Sequence, residues 1–261
     1  MSDANLTPPP PTPVSAADPN APSMSTPETL ANIFFEPGAT FEALRARPRF
    51  LAVALILVAL TALVTVLLFQ KVSYEQVVRD AIEDNPRTAE MPAEQRERMI
   101  AMQTGTAGKA IAYLAVPVAT LIVLAAGGAI YMLAAMMMGG KLSYKQGISV
   151  WAYSSFPPAV LGTVLALVML FLKAPEDLDF NRPGAGLLVT NLGVLIGAEG
   201  SKVLRAALGW FDLFTFYGMW LAALGLRKVG KLSSGGAWTI VIVLWLIGMI
   251  LSVVRTALFG G

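Results

Sequence analysis

The sequence predicts an all-α fold, a polytopic membrane helix bundle with five transmembrane helices. Three observations carry this. The 261 residues are 56% hydrophobic and only 14% charged, whereas soluble domains carry about 25% charged residues. Five apolar stretches come close to, or exceed, the roughly 20 residues needed to cross a hydrocarbon core. The segments between them hold almost all the charge. The chain has no Cys and no His. That removes thiol nucleophiles, disulfides, His–metal sites and the His of a Ser-His-Asp triad. A net charge of +2 leaves no nucleic-acid footprint.

Residues 1–32 hold eight prolines, at positions 8, 9, 10, 11, 13, 19, 22 and 27, among Ser, Thr, Ala and Asn. So little apolar surface does not offset chain entropy, and a disordered cytoplasmic tail is expected. Pro8-x-x-Pro11 and Pro10-x-x-Pro13 match the pattern of polyproline ligands, but a solvated leader explains them as well. No basic stretch followed by an apolar run marks a secretory signal. The membrane domain is taken as 33–261. Its first piece, "IFFEPGATFEALRARP", suggests a short interfacial helix from Ala39 to Arg47. Phe34, Phe35, Phe41 and Leu44 would meet the headgroups, and Pro48 would end the helix.

Span one is Phe50–Phe69, whose 20 residues rise about 30 Å. The charged loop 70–109 follows, with short surface helices expected near 73–84 and 92–104. Span two is 111–138 and span three 148–172. The next loop, 173–205, contains the apolar piece "AGLLVTNLGVLIGA" at 185–198. It is too short to cross and carries Thr190 and Asn191, so it reads as interfacial or re-entrant. Span four is 206–226 and span five 237–259.

Five spans place the termini on opposite sides. The short loops 139–147 and 227–236 carry Lys141, Lys145, Arg227, Lys228 and Lys231 with no acid, on the side of Arg45, Arg47 and Arg49. Loop 70–109 has six basic and seven acidic residues, and loop 173–205 has four of each. The positive-inside rule counts Lys and Arg, so these loops weaken the signal. The expected orientation keeps the N-terminus in the cytoplasm, in a bacterial inner membrane.

No enzyme motif is present. Gly105-Thr-Ala-Gly108-Lys109 lacks Walker A spacing, and the acids of loop 70–109 alternate with bases as on solvated helix faces. No catalytic, cofactor or metal site is expected. Pro157 and Pro158 fall inside span three. They leave the carbonyls of Tyr153 and Ser154 without helical donors, giving a hinge or a fixed kink; Pro117 in span two invites the same comparison. Gly127, Gly128, Gly162 and Gly248 suit close helix approach, and Gly193-x-x-x-Gly197 is a formal GxxxG match.

Asp212, in "GWFDLFTFYGMWLAALGL", is the most unusual residue. A start at Leu213 would leave span four only 14 residues, about 21 Å, so Asp212 is expected inside the span. Two readings stay open. One is a structural ion pair with Arg255 of span five, with Lys109 and Lys202 as rival partners. The other is a proton or ion site.

Three segments carry a family resemblance. "FFEPGATFEALRARPRFLAVALIL", "SYKQGISVWAYSSFPPAVLG" and "WFDLFTFYGMWLAALGLRKVGKLSSGGAW" resemble, in order and spacing, the Yip family of Ypt/Rab-interacting membrane proteins, in its bacterial branch. The resemblance covers residues 33–259. It implies five spans and a cytoplasmic N-terminus. Eukaryotic relatives act in vesicle traffic with Rab GTPases, a partner that does not carry over to the bacterial branch. The family supplies no catalytic residues. The expected function is therefore a non-enzymatic scaffold or interaction protein, whose partners are the lipid bilayer, other membrane proteins or itself. The alternative is a transporter, channel or lipid-handling protein using Asp212 and the proline-containing third span.

Overall fold

The computed structural model describes residues 24–83, 88, 90–174, 178, 187–197 and 200–259. The expected Pro-rich motifs of the tail, and much of loop 173–205, lie outside these residues. Every regular element among the described residues is helical.

Two short helices precede the first long one. α1 spans Thr26–Phe35. Ser25 and Glu28 close a capping box at its start, so two orphan N–H groups are satisfied reciprocally. α2 spans Pro37–Ala46, with its proline in the first turn. This corrects the expected tail boundary, because residues 26–32 are helical rather than part of a tail. It also corrects the interfacial helix. Phe41 and Leu44 are fully buried against the bundle, while Phe35 is 83% exposed.

α3 spans Leu51–Lys71, α6 Thr106–Met137, α7 Tyr144–Leu172 and α10 Ser234–Phe259. These four are long and apolar enough to cross a membrane. Their bounds agree with the expected spans to within about five residues at each end. The largest extension is at the start of α6, which begins at Thr106; the earlier start of α7 comes from a second capping box between Ser143 and Gln146. The charged loop folds as expected into α4, Tyr74–Glu83, and α5, Ala93–Thr104. They close on Val78, Ile82 and Ile100, and Arg79 pairs with Glu97 at 2.8 Å.

The fourth expected span differs. Residues 206–226 are not one helix. α8, Lys202–Leu208, ends before Gly209, and α9 runs Leu213–Gly230. Its 18 residues rise about 27 Å. Against the expected 206–226, the helix loses about two turns at its start and gains about one at its end. Arg227 and Lys228 lie in the last turn of α9, where the helix dipole favours cations and long side chains reach toward water. Basic residues therefore prolong this helix rather than stop it.

Where helices meet, small residues set the distance. A Cβ on Gly127 would lie 2.0 Å from the Trp151 ring, and one on Gly128 would lie 2.7 Å from the backbone nitrogen of Ile148. α6 and α7 thus approach almost backbone to backbone. Gly248 likewise accommodates the Trp210 ring, but Gly162 faces open space. Gly193 and Gly197 flank a 3-10 turn, Leu192–Ile196, rather than a helix crossing. Pro157 and Pro158 sit within the continuous helix α7. Gly218 of α9 lies against the Pro158 ring and the freed carbonyl of Ser154.

The core is polarised along the bundle. Ile33, Phe41, Leu44, Val53, Leu57, Val150, Tyr153, Leu221, Leu226 and Val229 form one buried cluster, at the end where α1 and α2 dock. At the opposite end, Leu114, Ile122, Leu165, Phe171, Ile250 and Leu258 are exposed. In a bilayer these are lipid-facing positions, since lipid tails are as apolar as leucine.

Candidate functional site

Two arrangements concentrate the polar contacts of the bundle. The first contains Asp212. It is the N-cap of α9, with extended backbone. Its Oδ1 accepts from the backbone N–H of Phe214 at 2.9 Å and of Thr215 at 3.0 Å. The Thr190 hydroxyl donates to Oδ2. Asn191 pairs with Asp212 through an isolated antiparallel bridge, in which the Leu192 N–H meets the Phe211 carbonyl at 3.2 Å. The Asn191 side chain caps its own 3-10 turn through the Gly193 N–H. The apolar piece around 187–197 therefore closes over the start of α9.

The surrounding aromatics fit the same local role. Phe211, Phe216 and Trp245 meet edge to face or tilted, and the Trp245 indole donates to the Trp210 carbonyl at 3.1 Å. Amphipathic rings of this kind favour the membrane–water boundary. Asp212 is an aspartate because a helix start needs an acceptor there. This answers the cost of an intramembrane carboxylate: the group lies at a helix end, not inside a span. Arg255 is exposed on α10, and among the described residues no ion pair joins it to Asp212. The structure brings Asp212 and Asn191 together and leaves Arg255 and the two prolines elsewhere.

The second arrangement was not visible in the sequence. At the other end of the bundle, α1 and α2 form a clasp over α7 and α9. The Thr29 hydroxyl donates to the Thr26 carbonyl at 2.8 Å. Its only proton is then used, so the Tyr153 phenol donates to Thr29 across 2.9 Å. Both residues are essentially buried, Thr29 at 1% and Tyr153 at 0% exposure. Phe34 packs edge-on against Phe156, with centroids 5.7 Å apart. Arg49, just before α3, reaches back to the Met24 carbonyl at 2.9 Å and so ties down the start of α1.

Polar contacts lock the other flank. Lys228 pairs with Glu42 at 2.5 Å. The hydrogen bond and the ammonium charge hold the Glu42 carboxyl below its ordinary range. The Gln146 amide donates to the Arg45 carbonyl at 2.9 Å. The loops after α6 and α9 also meet, because the Lys141 N–H donates to the Gly230 carbonyl at 3.1 Å. Arg45, Lys141, Lys145, Arg227 and Lys231 therefore share one exposed, basic end. One signal for the clasp was present: Ser25-x-x-Glu28 is a capping box, and Ile33 follows at core spacing. Proline density in the same stretch hid it.

Four apolar helices, a charge-free interior among the described residues and a helical clasp on a basic end define a polytopic all-α membrane protein. The family model of the Yip1 domain matches residues 31–255, so the chain belongs to the Yip1-domain family. That matched region starts within α1 and runs almost to the end of α10. The membrane protein YknW of Bacillus subtilis (strain 168) is 25% identical over 219 residues, covering 83% of this chain and 85% of that protein. No solved structure matches.

Proposed function

We propose that this chain is a non-enzymatic scaffold or interaction protein of the membrane, crossing it five times with its N-terminus in the cytoplasm. α9 would be the fourth span in chain order, added to the four longer apolar helices. Partners would be other membrane proteins or a second copy. One observation carries the choice over a transporter. The Asp212 carboxylate is occupied in capping α9 and accepting from Thr190, and the buried polar side chains among the described residues are uncharged Thr, Ser and Tyr hydroxyls. A coupled carrier needs several polar groups near the midplane, and this interior offers Thr and Ser hydroxyls already bonded to nearby carbonyls and a Tyr153 phenol bonded to Thr29. The basic end favours the proposed orientation by the positive-inside rule.

The test is affinity purification of the full chain from native membranes, with and without α1–α2 clasp substitutions. A defined partner or self-association, reproducible in the wild type, is the expected result. A pH-dependent ion flux in reconstituted vesicles that Asp212→Asn abolishes would replace this reading with the transporter.

A further inference from the structure

We propose that the groove between the end of α9 and the start of α10 is a binding site for one anionic glycerophospholipid. The groove has a volume of about 90 Å³ and is lined by Trp220, Ala223, Leu224, Arg227, Ser234 and Trp238. Its floor is closed, with Ala223 at 4% exposure, while its walls are open, with Trp220 at 46% and Trp238 at 37%. The inference rests on the proposed crossing of the membrane by α9 and not on the scaffold reading.

The chemistry changes along the groove in the order a lipid presents it. Trp220 and Leu224 precede Arg227 by two turns and one turn of α9. The rise from Trp220 to Arg227 is about 10 Å. The apolar wall suits the upper acyl chain and glycerol, and indole rings prefer that level of the bilayer. Arg227 then meets the headgroup phosphate, to which a guanidinium donates two parallel hydrogen bonds. The Ser234 hydroxyl, on the opposite wall, is a second donor.

Charge decides which lipid. Neighbouring cations on α9 have different fates. Lys228 turns to Glu42 of α2, whereas Arg227 is exposed and has no hydrogen-bond or ion-pair partner among the described residues. The segment 227–236 contains no acid, and exposed Lys141, Lys145 and Lys231 lie at the same end. A zwitterionic headgroup brings its own cation into this field without a net charge to offset it; an anionic headgroup such as phosphatidylglycerol brings a net negative charge. An apolar helix from a partner protein would fit the Trp walls, but it would bury Arg227 without a counter-charge, which is costly.

The experiment uses the purified full chain in nanodiscs of phosphatidylcholine containing a minor fraction of phosphatidylglycerol. Either lipid is brominated on its acyl chains, and quenching of the tryptophan fluorescence is read. The wild type should be quenched more by brominated phosphatidylglycerol than by brominated phosphatidylcholine at equal fraction. Trp238→Phe should remove much of that excess. Arg227→Gln should lower the apparent preference about fivefold, the effect of one cation near an anionic surface. Lys141→Gln, at the same end but outside the groove, should leave most of it. Equal quenching by the two lipids in the wild type would overturn the proposal. So would equal losses in Arg227→Gln and Lys141→Gln, which would reduce the preference to the diffuse charge of the basic end. Unchanged preference in both Trp238→Phe and Arg227→Gln would place any bound lipid elsewhere.

Discussion

Phe35 and Phe41 lie six positions apart and are the same residue type, yet Phe35 is 83% exposed and Phe41 is 0% exposed. The Phe41 ring fits against Gly225 of α9. A Cβ built there would sit 2.9 Å from the ring and 2.7 Å from the Val150 side chain. Phe41→Ala therefore opens a cavity in a tightly filled seam. Such truncations cost about 3–5 kcal/mol when the site does not collapse. α2 has an alternative to water, since an undocked amphipathic helix can rest among headgroups. That places the expected loss near the lower bound, about 3 kcal/mol. At about 1.4 kcal/mol per decade, opening of α2 becomes roughly 10²-fold more frequent. Hydrogen exchange followed by mass spectrometry on the α1–α2 peptides of the purified protein reads this directly. Phe35→Ala should leave exchange unchanged. Equal protection in wild type and Phe41→Ala, or equal losses in both variants, would refute the docking of α2 on the bundle and return it to the membrane surface.

Thr29→Val leaves the buried Tyr153 phenol without its acceptor and should cost about 1–3 kcal/mol. Combined with Tyr153→Phe it should cost clearly less than the two single changes added, as denaturant titration in detergent would show. Glu42 is held below its ordinary range by Lys228, so its contribution is present above the ordinary Glu value and lost as pH falls through the lowered one. Clasp protection, corrected for the pH dependence of intrinsic exchange, should be flat above about pH 5 and fall below the unperturbed value near 4.3; Lys228→Gln should abolish that acid dependence. Asp212→Ala should cost about 0.5–2 kcal/mol, as loss of an N-cap does. Arg255→Ala should be near neutral and additive with it, whereas strong coupling in the double mutant would reinstate their ion pair. With no native cysteine, Cys placed at 141 and 231 should label from the same side and Cys at 94 from the other; labelling of 94 together with 231 would reject an odd number of spans between them.

The membrane class and most helix positions were legible because they depend on local quantities. A run such as Leu51–Lys71 must bond its own backbone wherever lipid surrounds it, and nothing distant alters that. The capping boxes at Ser25 and Ser143 are equally local, and reading the first would have ended the tail sooner. The role of Asp212 was not legible, since a carboxylate inside an aromatic run has the same sequence whether the chain turns there or continues. Its cap depends on Thr190 and Asn191, some twenty residues earlier, folding back over the start of α9.

The sequence by itself determined an all-α membrane chain, the long apolar helices, the surface hairpin of α4 and α5, and the basic character of one end. Each follows from hydropathy, periodicity or charge within a window of about two dozen residues. Only the tertiary structure decided that α1 and α2 are part of the bundle. That outcome rests on a hydrogen bond between Thr29 and Tyr153, 124 positions apart, and an ion pair between Glu42 and Lys228, 186 positions apart. Phe34, Phe35, Phe41 and Leu44 are equally apolar in a lipid interface and in a protein seam. What separates the two is whether Gly225 and Val150 present a matching surface, and shape complementarity between distant segments is not encoded in the composition of either one.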